Sequence, residues 1–172
     1  MYMPRLLLLA ICLFGMPAPA DESPLLGEPV DAETLARIDY TILPNGDGLP
    51  DGSGTARDGA AVYAQHCIAC HGMDGEGTVN DRLVGGHGSL DSDQPIKTVG
   101  SYWPYATTVF DYIRRAMPLQ QPGTLSENEV YAVTAYLLYL NGIIGETDEM
   151  TAATLPAVAM PNRDGFSWDY SP

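Results

Sequence analysis

Apolar side chains recur at helical spacing in the stretch that precedes Met117. Four of them are three or four positions apart: Val109, Tyr112, Ile113 and Ala116. Residues at this spacing share one face of a helix, so the pattern predicts an amphipathic helix. Pro104 is favourable in a first turn and Pro118 cannot continue a helix, which places the helix ends near Pro104 and at Met117.

A second helix is predicted from Ser126 to about Leu140. Ser126 is a good N-cap, and Glu129 three residues later completes a capping box. Its apolar stripe is formed by Val130, Val133, Leu137 and Leu140. The helix is expected to end before Asn141 and Gly142, since this pair is turn-forming.

An earlier helix is predicted from about Asp58 to Cys70. It places Gly59 and Tyr63 four residues apart, on one face. Because glycine has no side chain, we expect this face to approach the last helix closely, with Tyr136 among the residues that it meets. Three helices with apolar stripes predict an all-α fold.

The stretches outside the helices differ in composition. Residues 21–56 are rich in Pro, Gly and Asp and predict an extended N-terminal arm, with one helical turn at residues 31–38. Residues 57–142 hold the predicted helices and form the predicted domain. Residues 143–172 contain three prolines and little periodicity, so they predict an extended C-terminal tail.

Residues 1–20 have the layout of a secretory signal peptide. Arg5 gives a basic start, residues 6–14 are apolar, and residues 18–20 form a small-residue cleavage site. The apolar stretch is too short to span a bilayer, and no later stretch is long enough. The sequence therefore predicts export to the bacterial periplasm without a membrane span. Lipidation is not expected, because Ile11 rather than a small residue precedes Cys12.

The chain is strongly acidic, with a formal net charge of −14 over its 172 residues. Nucleic acid is therefore excluded as a partner, because phosphates carry the same sign of charge. Two interpretations of the acidic excess stay open. It can steer the protein toward a basic docking surface on a partner, or it can serve solubility alone.

Candidate chemistry is concentrated in the pentapeptide Cys67-Ile-Ala-Cys-His71. Two thiols separated by two residues can each add across one vinyl group of a haem, and the following histidine can supply a nitrogen to the iron. The motif predicts one covalently attached haem c. Cys67 and Cys70 are the predicted thioether residues and His71 the predicted axial ligand, an arrangement that serves one-electron exchange.

The two cysteines alone would also fit other chemistry. A thioredoxin-like redox pair needs a strand before the motif, but residues 60–65 are predicted to be helical. A zinc site needs a second pair of ligands, and no further cysteine follows Cys70. A structural disulfide leaves His71 without a role. Haem attachment accounts for all three residues.

The opposite face of the iron requires a second ligand in a closed electron-transfer site. Methionine sulfur is a soft ligand that suits this role. Four methionines follow the signal peptide: Met73, Met117, Met150 and Met160. Met73 is too close to His71 to reach the opposite face. Met117, in a loop before the last helix, is the predicted ligand, with Met160 as the alternative and His87 as a histidine alternative.

The motif Cys67-Ile-Ala-Cys-His71-Gly72, the pair Met117-Pro118 and the capped last helix resemble a class I cytochrome c. This resemblance covers residues 57–142. It implies a class I cytochrome c fold with three or more helices around one covalent haem. It also implies that His71 and Met117 are the axial iron ligands and that Cys67 and Cys70 carry the thioethers.

A narrower resemblance rests on five stretches: residues 49–55, 100–108, 110–118, 129–136 and 160–166. They are similar to cytochrome subunits of periplasmic sulfur-compound dehydrogenases. Those include the cytochrome subunit of sulfite dehydrogenase and the haem domain of the sulfane dehydrogenase of the thiosulfate-oxidising system. The sulfane enzymes often carry a second fused domain, whereas this chain has one haem motif, which favours the sulfite type.

The narrower resemblance implies an electron-relay role. In those enzymes the sulfur compound is oxidised at a molybdenum cofactor on a separate subunit. The cytochrome subunit then passes electrons singly to a downstream cytochrome c or oxidase. We therefore expect this chain to be the electron-transfer subunit of an oxidoreductase, with no catalytic site of its own. The alternative is a general soluble electron carrier of a respiratory chain.

Several residues near the predicted site have two interpretations each. Tyr102, Trp103 and Tyr105 can line the haem edge or donate hydrogen bonds to a propionate, or they can pack beneath the helix that begins near Pro104. Arg114 and Arg115 can neutralise a haem propionate or lie on a solvated helix face.

Overall fold

The computed structural model describes residues 27–167 and residue 169. The predicted signal peptide and Cys12 lie outside the described residues. The chain divides into two compact units between Asp39 and Tyr40. In the first unit, helix α1 (Ala32–Ile38) begins at Asp31, whose carboxylate accepts a hydrogen bond from the Thr34 N–H at 2.8 Å. The predicted helical turn is confirmed.

The second unit carries the predicted helices, with the earliest of them divided into two. They are α2 (Ala56–His66), α3 (Ile68–His71), α4 (Ala106–Ala116) and α5 (Glu127–Leu140). Both ends of α5 agree with the sequence, and Ser126 and Glu129 form the predicted capping box. The prediction of one helix from Asp58 to Cys70 is wrong at Cys67. The Cys67 backbone has a φ of −121° and leaves the helical conformation, so the chain turns there and α3 begins anew.

Helices α2 and α5 pack closely at Gly59. A Cβ atom at Gly59 would collide with the backbone carbonyl of Ala132 on α5, so only glycine allows this approach. Four residues later, the Tyr63 ring contacts Tyr136 with 5.2 Å between ring centroids. The predicted contact between the Gly59 face and the last helix is confirmed.

Arm and tail residues also contribute to the core. Strand β1 (Ser53–Gly54) pairs antiparallel with strand β2 (Met150–Thr151), and a 3₁₀ turn follows at Leu155–Ala157. Leu155 is fully buried, and Met160 beyond it is 3% exposed. The sequence did not predict this pairing, because strands of two residues carry no readable alternation.

Side chains tie down the long segment between α3 and α4, which contains no helix or strand within the described residues. The Thr98 hydroxyl donates to the Gly85 carbonyl at 2.6 Å. The Asn141 amide, at the end of α5, donates to the Leu83 carbonyl at 3.2 Å and accepts from the Gly85 N–H at 3.1 Å. Thr98 and Asn141 are both buried, and their polar groups have the hydrogen-bond partners that buried polar groups need.

Across the described part of the chain, none of the helices combines the length and the apolar character that crossing a bilayer requires.

Candidate functional site

A cavity of about 540 Å³ lies within the second unit, between α3, α4, α5 and the segment that joins α3 to α4. Its lining includes Cys67, Cys70, His71 and Met117, so the structure brings all four predicted site residues together. Most of the remaining lining is apolar, with Val109, Val133 and Leu137 among its members. Its volume is that of a cavity for a cofactor-sized molecule.

Cys67 and Cys70 are free thiols, each half-buried. Burial raises the pKa of the Cys67 thiol to about 11, with a smaller contribution from Cys70. A thioredoxin-like pair needs the opposite shift, because its nucleophile is the thiolate. The environment therefore favours the protonated thiol of Cys67 over the thiolate.

His71 is held by one hydrogen bond at its ring and by others at its backbone. Its Nδ1 lies 2.7 Å from the backbone carbonyl oxygen of Asp81. A carbonyl oxygen only accepts, so Nδ1 carries the proton and the lone pair of Nε2 is left for a metal. The Gly77 N–H donates to the His71 carbonyl at 2.7 Å, and the Tyr63 hydroxyl donates to the Gly72 carbonyl at 3.0 Å.

Met117 follows the last residue of α4 and opens a connection to α5 that we call the methionine loop, residues 117–126. Its N–H still donates to the Ile113 carbonyl at 3.0 Å, but its backbone is extended. Its half-buried side chain packs against the core and lines the cavity. α4 therefore positions Met117 at the cavity wall.

The other candidate ligands do not line this cavity. Met150 and Met160 are 5% and 3% exposed within the core, and Met73 is 67% exposed. His87 lines a smaller cavity of about 290 Å³ beside Asn162. Among the methionines of the described residues, Met117 alone reaches the larger cavity.

Of the aromatic residues at 102–105, Trp103 lines the cavity, whereas Tyr102 and Tyr105 contact the C-terminal tail, which neither interpretation predicted. Trp103 lines the cavity and makes an edge-to-face contact with Tyr112, whose ring centroid is 5.7 Å away. Tyr102 instead contacts Phe166 of the tail at 5.3 Å. Tyr105 stacks under the Arg163 guanidinium at 4.4 Å.

Arg114 and Arg115 do not line the cavity. Arg114 pairs with Glu127 at 2.6 Å, and Arg115 pairs with Asp111 at 2.8 Å. Both therefore bind carboxylates of the chain itself.

Two cations that sequence reasoning missed, Arg82 and Lys97, line the cavity instead. Lys97 is the only lysine in the chain. A single lysine in so acidic a sequence was the one feature from which a role at the cavity could have been predicted. Both residues lie in the segment without regular structure, so no helical or strand pattern pointed to them.

These residues fit a haem. Two free thiols, an imidazole with an available Nε2 and a methionine sulfur line one largely apolar cavity. Arg82 and Lys97 add positive charge that suits the two carboxylates of a haem. This set of donors matches the attachment groups and iron ligands of c-type haem proteins.

Comparisons with known proteins agree on one family. Over residues 54–137 the chain matches the family described as cytochrome c oxidase, cbb3-type, subunit III. It is also similar to a chain in the crystal structure of the sulfane dehydrogenase SoxCD from Paracoccus pantotrophus. That match has a TM-score of 0.79 and 42% sequence identity, and it covers 86% of this chain and 73% of that one.

Two curated relatives are thiosulfate dehydrogenases. The protein from Psychrobacter arcticus is 27% identical over 106 residues, which is 62% of this chain and 29% of that protein. The protein from Stutzerimonas stutzeri is 30% identical over 116 residues, which is 64% of this chain and 34% of that protein. The chain thus spans about a third of the length of these relatives.

Proposed function

The chain belongs to the class I cytochromes c, and from that premise we propose that it relays single electrons for a periplasmic sulfur-compound dehydrogenase. The family implies a haem c and a role in electron transfer, and the all-α fold predicted from the sequence is confirmed. A haem c supplies an iron that gains and loses one electron at a time. The residues of this chain determine how that group is held.

In this proposal one haem is attached covalently through Cys67 and Cys70. The His71 Nε2 and the Met117 sulfur would bind its iron. The hydrogen bond from Nδ1 to the Asp81 carbonyl supports the role of His71, since it holds the ring in the required tautomer. The position of Met117 in the cavity wall supports a closed iron. Apolar lining residues then limit the access of water.

The proposed electron donor is a molybdenum-containing dehydrogenase subunit, and the acceptor is a downstream cytochrome c or oxidase. The likeness to the sulfane dehydrogenase SoxCD carries this step, because it extends over 86% of the chain and so beyond the predicted haem domain. Export through residues 1–20 would place the chain in the periplasm. The sulfite-type partner expected from the single haem motif stays a prediction.

A reconstituted pair tests the partner. The haem-loaded chain is mixed with the molybdenum subunit, and haem reduction is followed in a stopped-flow spectrometer after addition of sulfite, thiosulfate or a sulfane sulfur compound. We expect rapid reduction only when subunit and substrate are both present, and the substrate that succeeds identifies the dehydrogenase type. Equal rates with and without the subunit, or equally fast reduction by unrelated donors, would favour a general respiratory carrier and contradict this proposal.

A further inference from the structure

We propose that the ion pair between Arg114 and Glu127 is a positioning device that closes the methionine loop and holds Met117 at the cavity. The inference rests on the proposed role of Met117 as an iron ligand. It adds two residues that do not line the cavity. Both act through the loop that they enclose, and neither would touch the haem.

The pair joins the two ends of the loop. Arg114 lies in the last turn of α4, and Glu127 is the first residue of α5. The Arg114 Nη2 donates to the Glu127 Oε1 at 2.6 Å, the short distance of a charge-assisted hydrogen bond. A contact at this place fixes the separation of the helix ends, and therefore the span that the loop must cover.

The loop itself contains little that would hold its shape. The Gln121 N–H donates to the Pro118 carbonyl at 2.8 Å, and the Thr124 hydroxyl donates to the Gln121 carbonyl at 2.8 Å. Both bonds are local, and residues 119–124 are exposed. Only Met117 and Leu125, near its two ends, pack against the core. The position of Met117 thus depends on how the ends are held.

Because the ion pair between Arg114 and Glu127 is partly buried, it stabilises the loop more than a fully exposed ion pair would. The side chains of Arg114 and Glu127 are 22% and 37% exposed. The second carboxylate oxygen, Glu127 Oε2, is buried and has no hydrogen-bond partner among the described residues. Without Arg114, this carboxylate would lose its cationic partner and turn toward water, because a buried unpaired charge is unfavourable. The contact between the last turn of α4 and the first residue of α5 would then be lost, and the two ends of the loop would be free to separate.

Arg115 offers a matched control. It is the neighbouring arginine, 34% exposed, and it also makes an ion pair, with Asp111 at 2.8 Å. It donates a second bond to the Tyr40 carbonyl at 2.8 Å. These bonds lie within α4 and toward Tyr40, so none of them crosses the methionine loop. Loss of Arg115 removes a comparable charge without opening the loop.

The test measures ligand exchange in the full haem-loaded chain. Imidazole is added to the oxidised protein, and its rate of replacement of methionine is followed through the far-red charge-transfer band of methionine–ferric ligation. We expect Arg114→Gln to exchange about three to ten times faster, the effect of losing a partly buried ion pair. Arg115→Gln should exchange at the native rate. The charge swap Arg114→Glu with Glu127→Arg should restore slow exchange.

Urea unfolding of each variant separates positioning from general loss of stability. Faster exchange in Arg114→Gln than in an equally destabilised Arg115→Gln supports the proposal. Equal exchange rates in the two variants, or a charge swap that exchanges as fast as Arg114→Gln, overturns it. Met117→Ala separates the ligand role of Met117 from the positioning role of the Arg114–Glu127 ion pair. If the far-red band survives in Met117→Ala, the ligand role has failed, whereas its loss with unchanged exchange in Arg114→Gln overturns only the positioning role.

Discussion

The two sides of the cavity are held in different ways. On one side, the attachment segment, residues 67–81, is bound by a dense local network. The Cys70 carbonyl accepts from the Asn80 N–H at 3.0 Å and from the Thr78 hydroxyl at 2.8 Å, and His71 is held through its ring and its carbonyl. On the other side, the interior of the methionine loop, residues 118–125, has two short-range hydrogen bonds, and one ion pair lies across the base of the loop.

This difference suggests a division of roles. A network of many short-range hydrogen bonds opens only when several of its members break together. A loop held at its ends can open while the rest of the fold stays intact. We therefore expect mutations on the attachment side to affect whether the haem is kept. Mutations on the methionine side should affect its ligation and reduction potential.

The largest effect is expected from the double variant Cys67→Ala with Cys70→Ala. Without either thiol the chain should retain no haem through denaturing electrophoresis, as judged by haem staining and intact mass. Met73→Ala is the control, because it changes an exposed methionine within the same segment. Covalent haem in the double variant would contradict the assigned attachment.

The next effect is expected from Met117→Ala. Covalent haem should remain, but the far-red band should vanish. The reduction potential should fall by about 0.1 V or more, part of the ~0.8 V range that axial ligands set. Met160→Leu is the control, since it nearly conserves volume at a buried position away from the cavity. Loss of the band in Met160→Leu and not in Met117→Ala would reassign the ligand to Met160.

A smaller effect is expected from removing single tyrosine hydroxyls. Tyr63 donates to the Gly72 carbonyl at 3.0 Å, and Tyr131 donates to the Pro50 carbonyl at 2.9 Å. Tyr63→Phe and Tyr131→Phe should each lower the free energy of unfolding by about 1 kcal/mol, measured in urea. Only Tyr63→Phe should also shift the haem spectrum, because Gly72 adjoins His71. Identical spectra in both variants would mean that the attachment segment does not depend on Tyr63.

The smallest effect is expected from acid. Hydrogen bonds from Thr55 and Ser126 hold the pKa values of Asp58 and Glu129 below their usual 3.8 and 4.5. Since the folded pKa values are the lower ones, this stabilisation is present above the usual values and is lost as the pH falls through the folded ones. Unfolding in urea should therefore become easier below pH 4.5 and again below pH 3.8.

The capping variants assign that acid effect to one side of the cavity. Ser126→Ala should flatten the Glu129 part of the pH profile and, because Ser126 ends the methionine loop, speed imidazole exchange. Thr55 caps α2, which leads to the attachment segment, so Thr55→Ala should flatten the Asp58 part alone. Faster exchange in Thr55→Ala would show that the two sides are not independent.

Local features were predictable from the sequence. Helix α5 was correct at both ends, because the Ser126–Glu129 capping box and the apolar stripe are local signals of one periodicity. The approach at Gly59 followed from the absence of a side chain. The break at Cys67 was missed, since helical propensity runs through it and the turn is set by the contacts of the segment beyond.

Contacts between distant residues were not predictable in the same way. Neither Thr98 nor Asn141 carries a pattern that would reveal its hydrogen bonds to the 83–85 stretch, yet these bonds shape the wall of the cavity. Arg114 and Arg115 look equivalent in the sequence. Their different positions around α4 determine that Arg114 pairs with Glu127 and Arg115 with Asp111. Likewise, only the folded structure shows that Met117 lines the cavity whereas Met160 is buried in the core away from it.

The sequence by itself determined the proposed chemistry, because the two thiols and the imidazole that are proposed to hold a haem lie within five consecutive residues. It also determined both ends of α5, because the apolar periodicity and the capping box of that helix lie within one continuous stretch of chain. Only the tertiary structure decided which methionine reaches the cavity, which cations line it and what holds the methionine loop closed. Those outcomes depend on residues that are far apart in the chain and become neighbours only when α4 and α5 pack together.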